Sequence, residues 1–413
     1  MPTPSPQLLL NDVRDSIRQR CFSPVSSRQV GVELEWLTVA RGDAGARVDP
    51  DGLRHTLAAA GPSPGGSTVT FEPGGQLELS SPPYPNVDQA CAAASADVAW
   101  AAAGVDRLDV RLVGLGADPL RPPRRVVATP RYDAMEAYFD EAGPAGRRMM
   151  CNTAAVQVNV GVGPGADDAA RQWRLAQRLG PTLAAAFANS PLFEGRPTGF
   201  RSSRLATWLA LDRSRTAPVD SRRPGPDAWA DYVVDAQVMF IPPLCRPPSA
   251  PLSFGQWVVE GHDLGWPTTD DLDHHLSTLF PPVRPRGWLE LRMIDVLPDP
   301  WWQVPVAVVA ALLGDPEAGD AADRALCSTA ADDRWVDAAR TGLCHPALAE
   351  SARACFAAAL AGLERMGTEA PVVDTVAAYA DRWVDRGRSP ADDHLDAWAA
   401  SGTLFPETAG SLT

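Results

Sequence analysis

Two short acidic stretches constrain the fold more than any other feature of the chain. Residues 31–35 are Gly-Val-Glu-Leu-Glu, and residues 71–82 are Phe-Glu-Pro-Gly-Gly-Gln-Leu-Glu-Leu-Ser-Ser-Pro. Both have the composition of β-strands, in which alternate side chains share a face, so Glu33 and Glu35 are predicted to point the same way. A tight turn at residues 73–75 would fold the second stretch back on itself and bring Glu72 and Glu78 to one rim.

These four carboxylates would repel one another strongly on one face of a sheet unless a cation lay between them. The alternative is that they are solvent-facing acids on a half-exposed antiparallel sheet, which is the usual role of an isolated Glu-x-Glu. Two such elements lie close together here and the second is rich in glycine, so the two interpretations are about equally favoured on these residues alone.

Length and charge exclude several classes of protein. The 413 residues suffice for one large domain or two ordinary ones, and the 45% hydrophobic content is typical of a globular protein. The net charge of −14 argues against nucleic acid and anionic membranes as partners, since both select for basic patches. The longest apolar run, residues 304–313, is too short to cross a bilayer. With 7 cysteines, no Cys-x-x-Cys spacing and no basic-plus-apolar leader, we expect a soluble, cytoplasmic protein with reduced thiols.

Every basic residue other than histidine is arginine, because the chain contains no lysine. This excludes a P-loop lysine, a kinase-type strand lysine, a Schiff base to pyridoxal phosphate and adenylylation on lysine. Any phosphate bound by this chain is therefore expected to be held by arginine, backbone N–H groups and metal.

The order of predicted elements favours an α+β fold. Strands are predicted at residues 29–39, 68–80, 109–115, 153–160 and 288–294. Helices are predicted at 86–105, 131–142, 166–189 and 205–211, and almost throughout the chain from 301 onward. Strands separated by helices of varied length, with hairpins and a helical last part, indicate α+β rather than a doubly wound sheet. No Gly-x-Gly-x-x-Gly follows a strand, so the signature of a dinucleotide-binding fold is missing.

Two further pairs of polar side chains are spaced to share a strand face. Gln157 and Asn159 are either solvated surface amides or oxygen ligands and hydrogen-bond donors in a site. Glu290 and Arg292 are by default a weak surface ion pair. Cys151, next to the amide strand, is interpreted as a small buried thiol.

Arginines are concentrated at residues 147–148 and 199–216, where their planar guanidinium groups would suit carboxylate or phosphate oxygens, although a solvated face explains them equally well. No His-Glu-x-x-His or Gly-x-Ser-x-Gly motif occurs. The chemistry is therefore predicted to rest on metal and electrostatics rather than on a covalent nucleophile.

Taken together, these segments resemble the plant-type glutamate–cysteine ligase family. The matching pieces follow the family's order along the first three-quarters of the chain, and they are residues 31–35, 72–80, 149–159, 199–216 and 288–292. The block Glu-Pro-Gly-Gly-Gln-x-Glu-Leu-Ser is specific, whereas Glu-x-Glu and Glu-x-Arg gain weight only from their order.

The resemblance implies an enzyme that joins the γ-carboxylate of glutamate to the amine of cysteine at the expense of ATP. It implies a curved antiparallel sheet flanked by helices, akin to the catalytic domain of glutamine synthetase, within a single domain spanning residues 1–413. Residues 1–300 would form the sheet-containing core and 301–413 a helical region packed on it. Within the family the chain is most similar to the actinobacterial ligase that supplies γ-glutamylcysteine for ergothioneine synthesis. Related carboxylate–amine ligases often carry histidine at the position of Gln157, whereas glutamine is typical of the plant-type pattern.

Combining the residues with the resemblance, we predict a site for two or three Mg²⁺ ions, with Mn²⁺ as an alternative, and for ATP, L-glutamate and L-cysteine. The predicted metal ligands are Glu33, Glu35, Glu72, Glu78, Gln157 and Glu290. The predicted catalytic residues are Arg204, Arg292 and Glu290. Substrate is assigned to Arg147, Arg148, Asn159 and Arg204, and the phosphates of ATP to Arg213, Arg215 and Arg292.

Three alternatives remain at the level of the sequence. The first is a ligase of the same superfamily that uses another amine, the second a catalytically silent binding protein that retains the sheet, and the third a metal-dependent hydrolase that uses the same acids. The sequence does not distinguish a monomer from a dimer.

Overall fold

The structure is a computed structural model that describes residues 8–22, 28–241, 246–326 and 331–402. Its strands are β1 (Val30–Ala40), β2 (Thr68–Phe71), β3 (Leu77–Ser80), β4 (Val110–Val113), β5 (Ala155–Gly161), β6 (Leu192–Phe193), β7 (Arg196–Pro197), β8 (Val283–Pro285) and β9 (Trp288–Asp295). The strands predicted from the sequence are therefore confirmed to within a few residues at each end.

The helices before the last strand cover the sheet and its edges. They are α1 (Leu10–Cys21), α2 (Pro50–Ala59), α3 (Val87–Asp106), α4 (Pro130–Asp140), α5 (Ala145–Asn152), α6 (Ala166–Ala186), α7 (Ser203–Leu209), α8 (Arg213–Thr216), α9 (Gly225–Asp235), α10 (Phe254–Glu260) and α11 (Thr269–Ser277). Those after it are α12 (Gln303–Gly314), α13 (Pro316–Ala325), α14 (Ala331–Thr341), α15 (Pro346–Arg365), α16 (Ala370–Tyr379) and α17 (Pro390–Ser401). The predicted helical character of the chain beyond residue 301 is confirmed over its described part.

Seven strands form one antiparallel sheet in the order β2-β3-β1-β5-β9-β8, with β4 paired to the end of β1. The predicted α+β class, an antiparallel sheet flanked by helices, is confirmed. One face of the sheet is apolar because alternate residues of β1, such as Val32 and Leu34, are almost fully buried. Helices α3, α6 and α12 pack against β1, β9 and β5 respectively. Burying each such side chain contributes about 1.5–3 kcal/mol to the free energy of folding. The apolar residues therefore determine which face is buried, and the polar residues are left on the opposite face.

Strand β9 contains one extra residue relative to β5. Val158 is opposite Leu291 but Val156 is opposite Ile294, so two residues of β9 face one of β5. Because of this β-bulge, residues of β9 that are an odd number of positions apart can share a face when one lies before the extra residue and the other after it.

The predicted hairpin at residues 71–82 is present. The N–H of Gly75 donates to the carbonyl of Glu72 at 2.8 Å, and Gly75 adopts a φ of 88°, which favours glycine. Gly74 presses against the end of α5, where an added Cβ would lie 2.0 Å from the carbonyl oxygen of Cys151. The hairpin is thus held against α5 by a contact that only glycine permits.

Gly74→Ala is expected to destabilise the protein by about 1–3 kcal/mol or more, because the backbone of α5 has to move to admit one methyl group. Chemical denaturation of the full chain measures this change. Gly42→Ala is the matched control, since its Cβ would meet no atom within 4 Å. Equal stability of the two variants would contradict the close contact.

Among the described residues, no helix combines the length and the apolar character needed to cross a bilayer. Helices beyond residue 301 contribute to the same apolar core as the sheet, for example through Val308 and Val376. That the chain is a single catalytic domain remains a prediction, which this shared core supports.

Candidate active site

A cavity of about 580 Å³ opens over the polar side of the sheet. The alternation of the strands brings polar residues to this side in rows that cross the strands. Glu35 lies opposite Glu78, Glu33 lies opposite Gln157, and Asn159 lies opposite Glu290. In antiparallel pairs opposite residues share a face, so the predicted common face of the acids is confirmed.

All four predicted acids of β1 and the hairpin line the cavity; they are Glu33, Glu35, Glu72 and Glu78. Glu35 accepts hydrogen bonds from the backbone N–H of Ala155 and from Gln157 Nε2, both at 2.8 Å. Glu33 accepts one from Asn159 Nδ2 at 3.1 Å. The amides of β5 therefore hold the two carboxylates of β1 in place.

The acids are held under electrostatic strain. Burial raises the pKa of Glu33 to about 7, and repulsion by Glu290 and Glu78 adds to it. Burial is the main cause that raises the pKa of Glu35 to about 7, and repulsion by Glu78 is the next largest. The pKa of Glu72 is raised well above its ordinary value by burial and by the same neighbour. Near neutral pH the apo cluster therefore retains protons that an added cation would displace.

We expect the metal-free protein to lose stability as the pH rises from about 4.5 to about 7. Each raised pKa means that the folded state holds a proton longer than the unfolded state, so the stabilisation is complete below the unfolded value and is lost through the folded value. Thermal unfolding in a chelator should show the melting temperature of the wild type falling steadily over this range.

Glu35→Gln is the matched variant for this pH dependence, because its side chain does not ionise. It should show a shallower fall, and added Mg²⁺ should restore the melting temperature of the wild type above pH 7 by mass action. Identical pH profiles for the two proteins would contradict the raised pKa of Glu35.

The cavity wall has the donor chemistry of a site for hard cations. Its acids and the oxygen of Gln157 are oxygen donors, which Mg²⁺ prefers. In the described part of the chain, no three Asp, Glu, His or Cys side chains already stand in a metal-binding arrangement. The carboxylates instead share one cavity, and burial together with repulsion by neighbouring acids raises the pKa of Glu33, Glu35 and Glu72. This is the state expected of ligands whose compensating charge is supplied by bound cations.

Glu290 is placed differently from the other predicted metal ligands. It is fully buried and pairs with Arg284 at 2.5 Å and with Arg292 at 3.1 Å. Burial alone would raise its pKa, but these arginines outweigh burial and lower the pKa to about 2. A metal role for Glu290 stays a prediction; the observed contacts make it an anchor for two arginines.

Arg204 and Arg292 both line the cavity. Arg292 contacts the side-chain oxygen of Gln157 as well as Glu290. Arg204 lies in the first turn of α7 and is only 3% exposed, and its Nη2 donates to the carbonyl of Arg292 at 2.7 Å. Both predicted catalytic arginines are therefore brought together beside the acids.

The other predicted arginines lie outside the cavity lining. Arg147 is exposed and pairs with Asp140 at 2.6 Å, whereas Arg148 stacks on Phe193. Arg213 and Arg215 lie on α8. The buried Arg215 donates to the carbonyl of Thr278 at 2.7 Å. The binding roles predicted for these four arginines gain no support from their positions.

Asn159 lies on the polar side of the sheet but does not line the cavity. Besides donating to Glu33, it accepts a hydrogen bond from Trp288 Nε1 at 3.0 Å. Its position fits the orientation of a carboxylate better than direct contact with substrate, and its substrate-binding role stays a prediction.

Several lining residues were missed by the sequence analysis. They are Arg20, Arg131, Tyr132, Arg284, Arg286 and Trp208, together with three methionines, Met135, Met149 and Met150. Arg284 and Arg286 precede β9 at alternate positions in Arg-Pro-Arg-Gly-Trp, a signal like the one that identified Glu290 and Arg292. Arg20 and Arg131 come from separate helices, and only the tertiary fold brings them here.

Cys151, the thiol next to the amide strand, does not have the surroundings of a nucleophile. Cys151 is buried, and burial raises its pKa to about 12, which confirms the interpretation of a structural thiol. The five cysteines in the described ranges, Cys21, Cys91, Cys151, Cys344 and Cys355, are all free of disulfides.

Comparison with known proteins assigns the chain to a family. Residues 29–409 match glutamate–cysteine ligase family 2. The chain belongs to this family. The predicted resemblance is therefore confirmed, and the family match extends well beyond the motifs, through the helical region after residue 301.

Relatives in this family come from bacteria and plants. The chain is 42% identical to the glutamate–cysteine ligase EgtA of Mycolicibacterium smegmatis, over 91% of this chain and 88% of the relative. It is 39% identical to EgtA of Mycobacterium tuberculosis, over 91% and 87%. The chloroplastic glutamate–cysteine ligase of Arabidopsis thaliana is 31% identical over 80% of this chain and 66% of its own length.

One solved structure has a similar fold. The crystal structure of a bifunctional glutathione synthetase from Pasteurella multocida aligns with a TM-score of 0.52 and 12% identity, covering 95% of this chain. The match spans 52% of that longer protein. At this identity the likeness concerns the fold alone.

Proposed function

We propose that this member of family 2 joins the γ-carboxylate of L-glutamate to the amine of L-cysteine at the expense of ATP, giving γ-glutamylcysteine. The proposal rests on one observation: Glu33, Glu35, Glu72 and Glu78 line the same cavity as Arg204 and Arg292. Its volume of about 580 Å³ lies within the range of about 300–1,000 Å³ of small-molecule sites. The relatives named glutamate–cysteine ligase EgtA support this ligation. We further propose that the product supplies ergothioneine synthesis and that the protein acts in the cytoplasm.

The two arginines have different surroundings and therefore different proposed roles. Arg292 lies among the acids, between Glu290 and Gln157, where the phosphates of a metal-bound nucleotide would approach. We assign it to the transferred phosphoryl group, whose equatorial oxygens a guanidinium can bind in pairs. Arg204 is assigned to the α-carboxylate of glutamate.

The acids would hold divalent cations, with Glu33, Glu35, Glu72, Glu78 and Gln157 as the proposed ligands. When bound, two or three Mg²⁺ ions, or Mn²⁺ in their place, would neutralise the crowded oxygens of ATP and of the carboxylate. The hydrogen bonds from Ala155 and Gln157 keep Glu35 oriented for this task.

The reaction proposed for this site proceeds through an intermediate on the substrate. An oxygen of glutamate's γ-carboxylate attacks the γ-phosphorus of ATP, the bond to ADP breaks, and γ-glutamyl phosphate forms. The amine nitrogen of cysteine then attacks the acyl carbon and phosphate leaves, while a nearby carboxylate or the departing phosphate takes the amine proton. The high pKa of Cys151 supports a route without an acyl-enzyme.

The test is ADP release by the full chain with glutamate alone and then with cysteine added, followed by mass analysis of the product. Positional exchange of oxygen within ATP that needs glutamate but not cysteine is expected if the acyl phosphate forms first. Product with another amine at a higher kcat/KM would identify a different acceptor, and turnover without ATP would identify a hydrolase. A glutamyl group trapped covalently on the protein would overturn the mechanism.

A further inference from the structure

Asp295 is a buried carboxylate next to Arg204, and it does not line the cavity. Asp295 ends β9 and is 1% exposed. It accepts hydrogen bonds from the backbone N–H of Asn189 at 2.9 Å, from Ser190 Oγ at 2.6 Å and from Ser202 Oγ at 2.9 Å. Burial raises the pKa of Asp295, whereas the charge of Arg204 and these three donors act against that rise by stabilising the charged carboxylate.

The same two serines connect this carboxylate to the backbone that carries Arg204. Ser190 Oγ accepts a hydrogen bond from the N–H of Arg204 at 3.1 Å. Ser202 Oγ caps α7 by accepting from the N–H of Leu205 at 3.0 Å. Asp295 therefore orients both hydroxyl groups so that their lone pairs face the first turn of α7.

The guanidinium of Arg204 lies between two carboxyl groups, those of Asp295 and Glu35. Nη1 of Arg204 is 3.9 Å from Asp295 Oδ1, and Glu35 attracts the same guanidinium from the cavity side. Arg204 Nε has no hydrogen-bond partner, and both members of the pair are almost fully buried. Attraction between buried charges is weakly screened, so Asp295 limits how far Arg204 can move toward the acids.

Backbone packs closely against the other oxygen of Asp295. A Cβ built on Gly116, which precedes α4, would lie 2.6 Å from Asp295 Oδ2. The carboxylate is therefore packed against backbone at Oδ2, while its closest approach to Arg204 is through Oδ1.

We infer that Asp295 is a positioning residue that holds Arg204 in the geometry for binding a substrate carboxylate. The inference rests on the proposed function, in which Arg204 binds the α-carboxylate of glutamate. Asp295 acts through Arg204 and the start of α7, and it does not itself touch the substrate.

The test is Asp295→Asn in the full-length protein, which retains the shape of the side chain but removes its charge. The KM for glutamate is expected to rise about 10- to 100-fold, as for other residues that orient a binding group, while the KM for ATP and the Mg²⁺ dependence change little. Combining Asp295→Asn with Arg204→Lys should add little to the effect of Arg204→Lys alone, because the residue being positioned is already impaired.

Asp118→Asn is the matched control. Asp118 is also a buried carboxylate and pairs with buried Arg121 at 2.5 Å, but neither residue lines the cavity. It should cost comparable stability and leave the KM for glutamate unchanged. If Asp295→Asn does not fold, Ser190→Ala removes one donor to Asp295 and the acceptor for Arg204, and should raise the same KM.

An unchanged KM for glutamate in folded Asp295→Asn, or in Ser190→Ala where Asp295→Asn fails to fold, would overturn the inference. Fully additive effects in the double variant would overturn it as well. These outcomes are distinct from failure of the proposed function, which would appear as a wild type that does not consume ATP with glutamate and cysteine.

Discussion

Glu35→Gln is expected to reduce kcat more than about 100-fold, because a residue that only orients a metal ligand already contributes 10- to 100-fold and a ligand should contribute more. The fold should persist, since glutamine can still accept one of the two hydrogen bonds that Ala155 and Gln157 donate to Glu35. Above pH 7 the metal-free variant should be at least as stable as the wild type, because a repelled charge has been removed.

Steady-state turnover over a wide range of Mg²⁺ concentrations, with circular dichroism for the fold, measures the effect of this substitution. Glu136→Gln is the control: Glu136 is a half-buried acid paired with Arg125 at 3.2 Å, and it does not line the cavity. Near-normal activity of Glu35→Gln at saturating Mg²⁺ would show that Glu35 is not a ligand.

Arg292→Lys should lower kcat by about 100- to 1,000-fold, the usual loss when one preorganised donor to a developing charge is removed. Nη1 of Arg292 already donates to both Gln157 and Glu290, so its other N–H groups are the ones left for phosphoryl oxygens, and an ammonium group cannot reproduce this planar arrangement of donors. Arg204→Lys should act mainly on the KM for glutamate, so the two variants separate the phosphoryl and carboxylate roles.

The control for the arginine variants is Arg41→Lys. Arg41 is an exposed arginine paired with Asp106, so the substitution introduces a lysine into a chain that has none without touching the cavity. Full activity of Arg292→Lys would rule out a role at the phosphoryl group.

The fold class and the common position of Glu33, Glu35, Glu72 and Glu78 could be predicted from the sequence, because both depend on patterns within short segments. Alternation within β1 determines that Glu33 and Glu35 share a face, and the Pro-Gly-Gly turn determines that the hairpin returns. These rules act over a few residues and depend little on the remainder of the chain.

The arginines were harder to predict because their positions depend on packing between distant elements. The arginines at residues 199–216 are close in sequence but contact different parts of the structure. Arg204 donates to the carbonyl of Arg292 on β9, whereas Arg215 donates to the carbonyl of Thr278. Arg131 enters from α4 and contacts Ser277 at 2.8 Å, a pairing that no sequence spacing indicates. Guanidinium groups have long reach, so their targets are determined by tertiary structure.

The bulge in β9 makes the length of that strand matter more than its composition. Glu290 and Asp295 are an odd number of positions apart, yet their partners Asn159 and Ala155 are an even number apart on β5, so the extra residue lets both face the same side of the sheet. Removing one codon between them would keep the strand apolar but turn one of the two carboxylates into the hydrophobic layer. Lineages that descend from this gene should therefore accept other apolar residues of similar size at the buried Met293 but almost no gain or loss of a residue between positions 290 and 295.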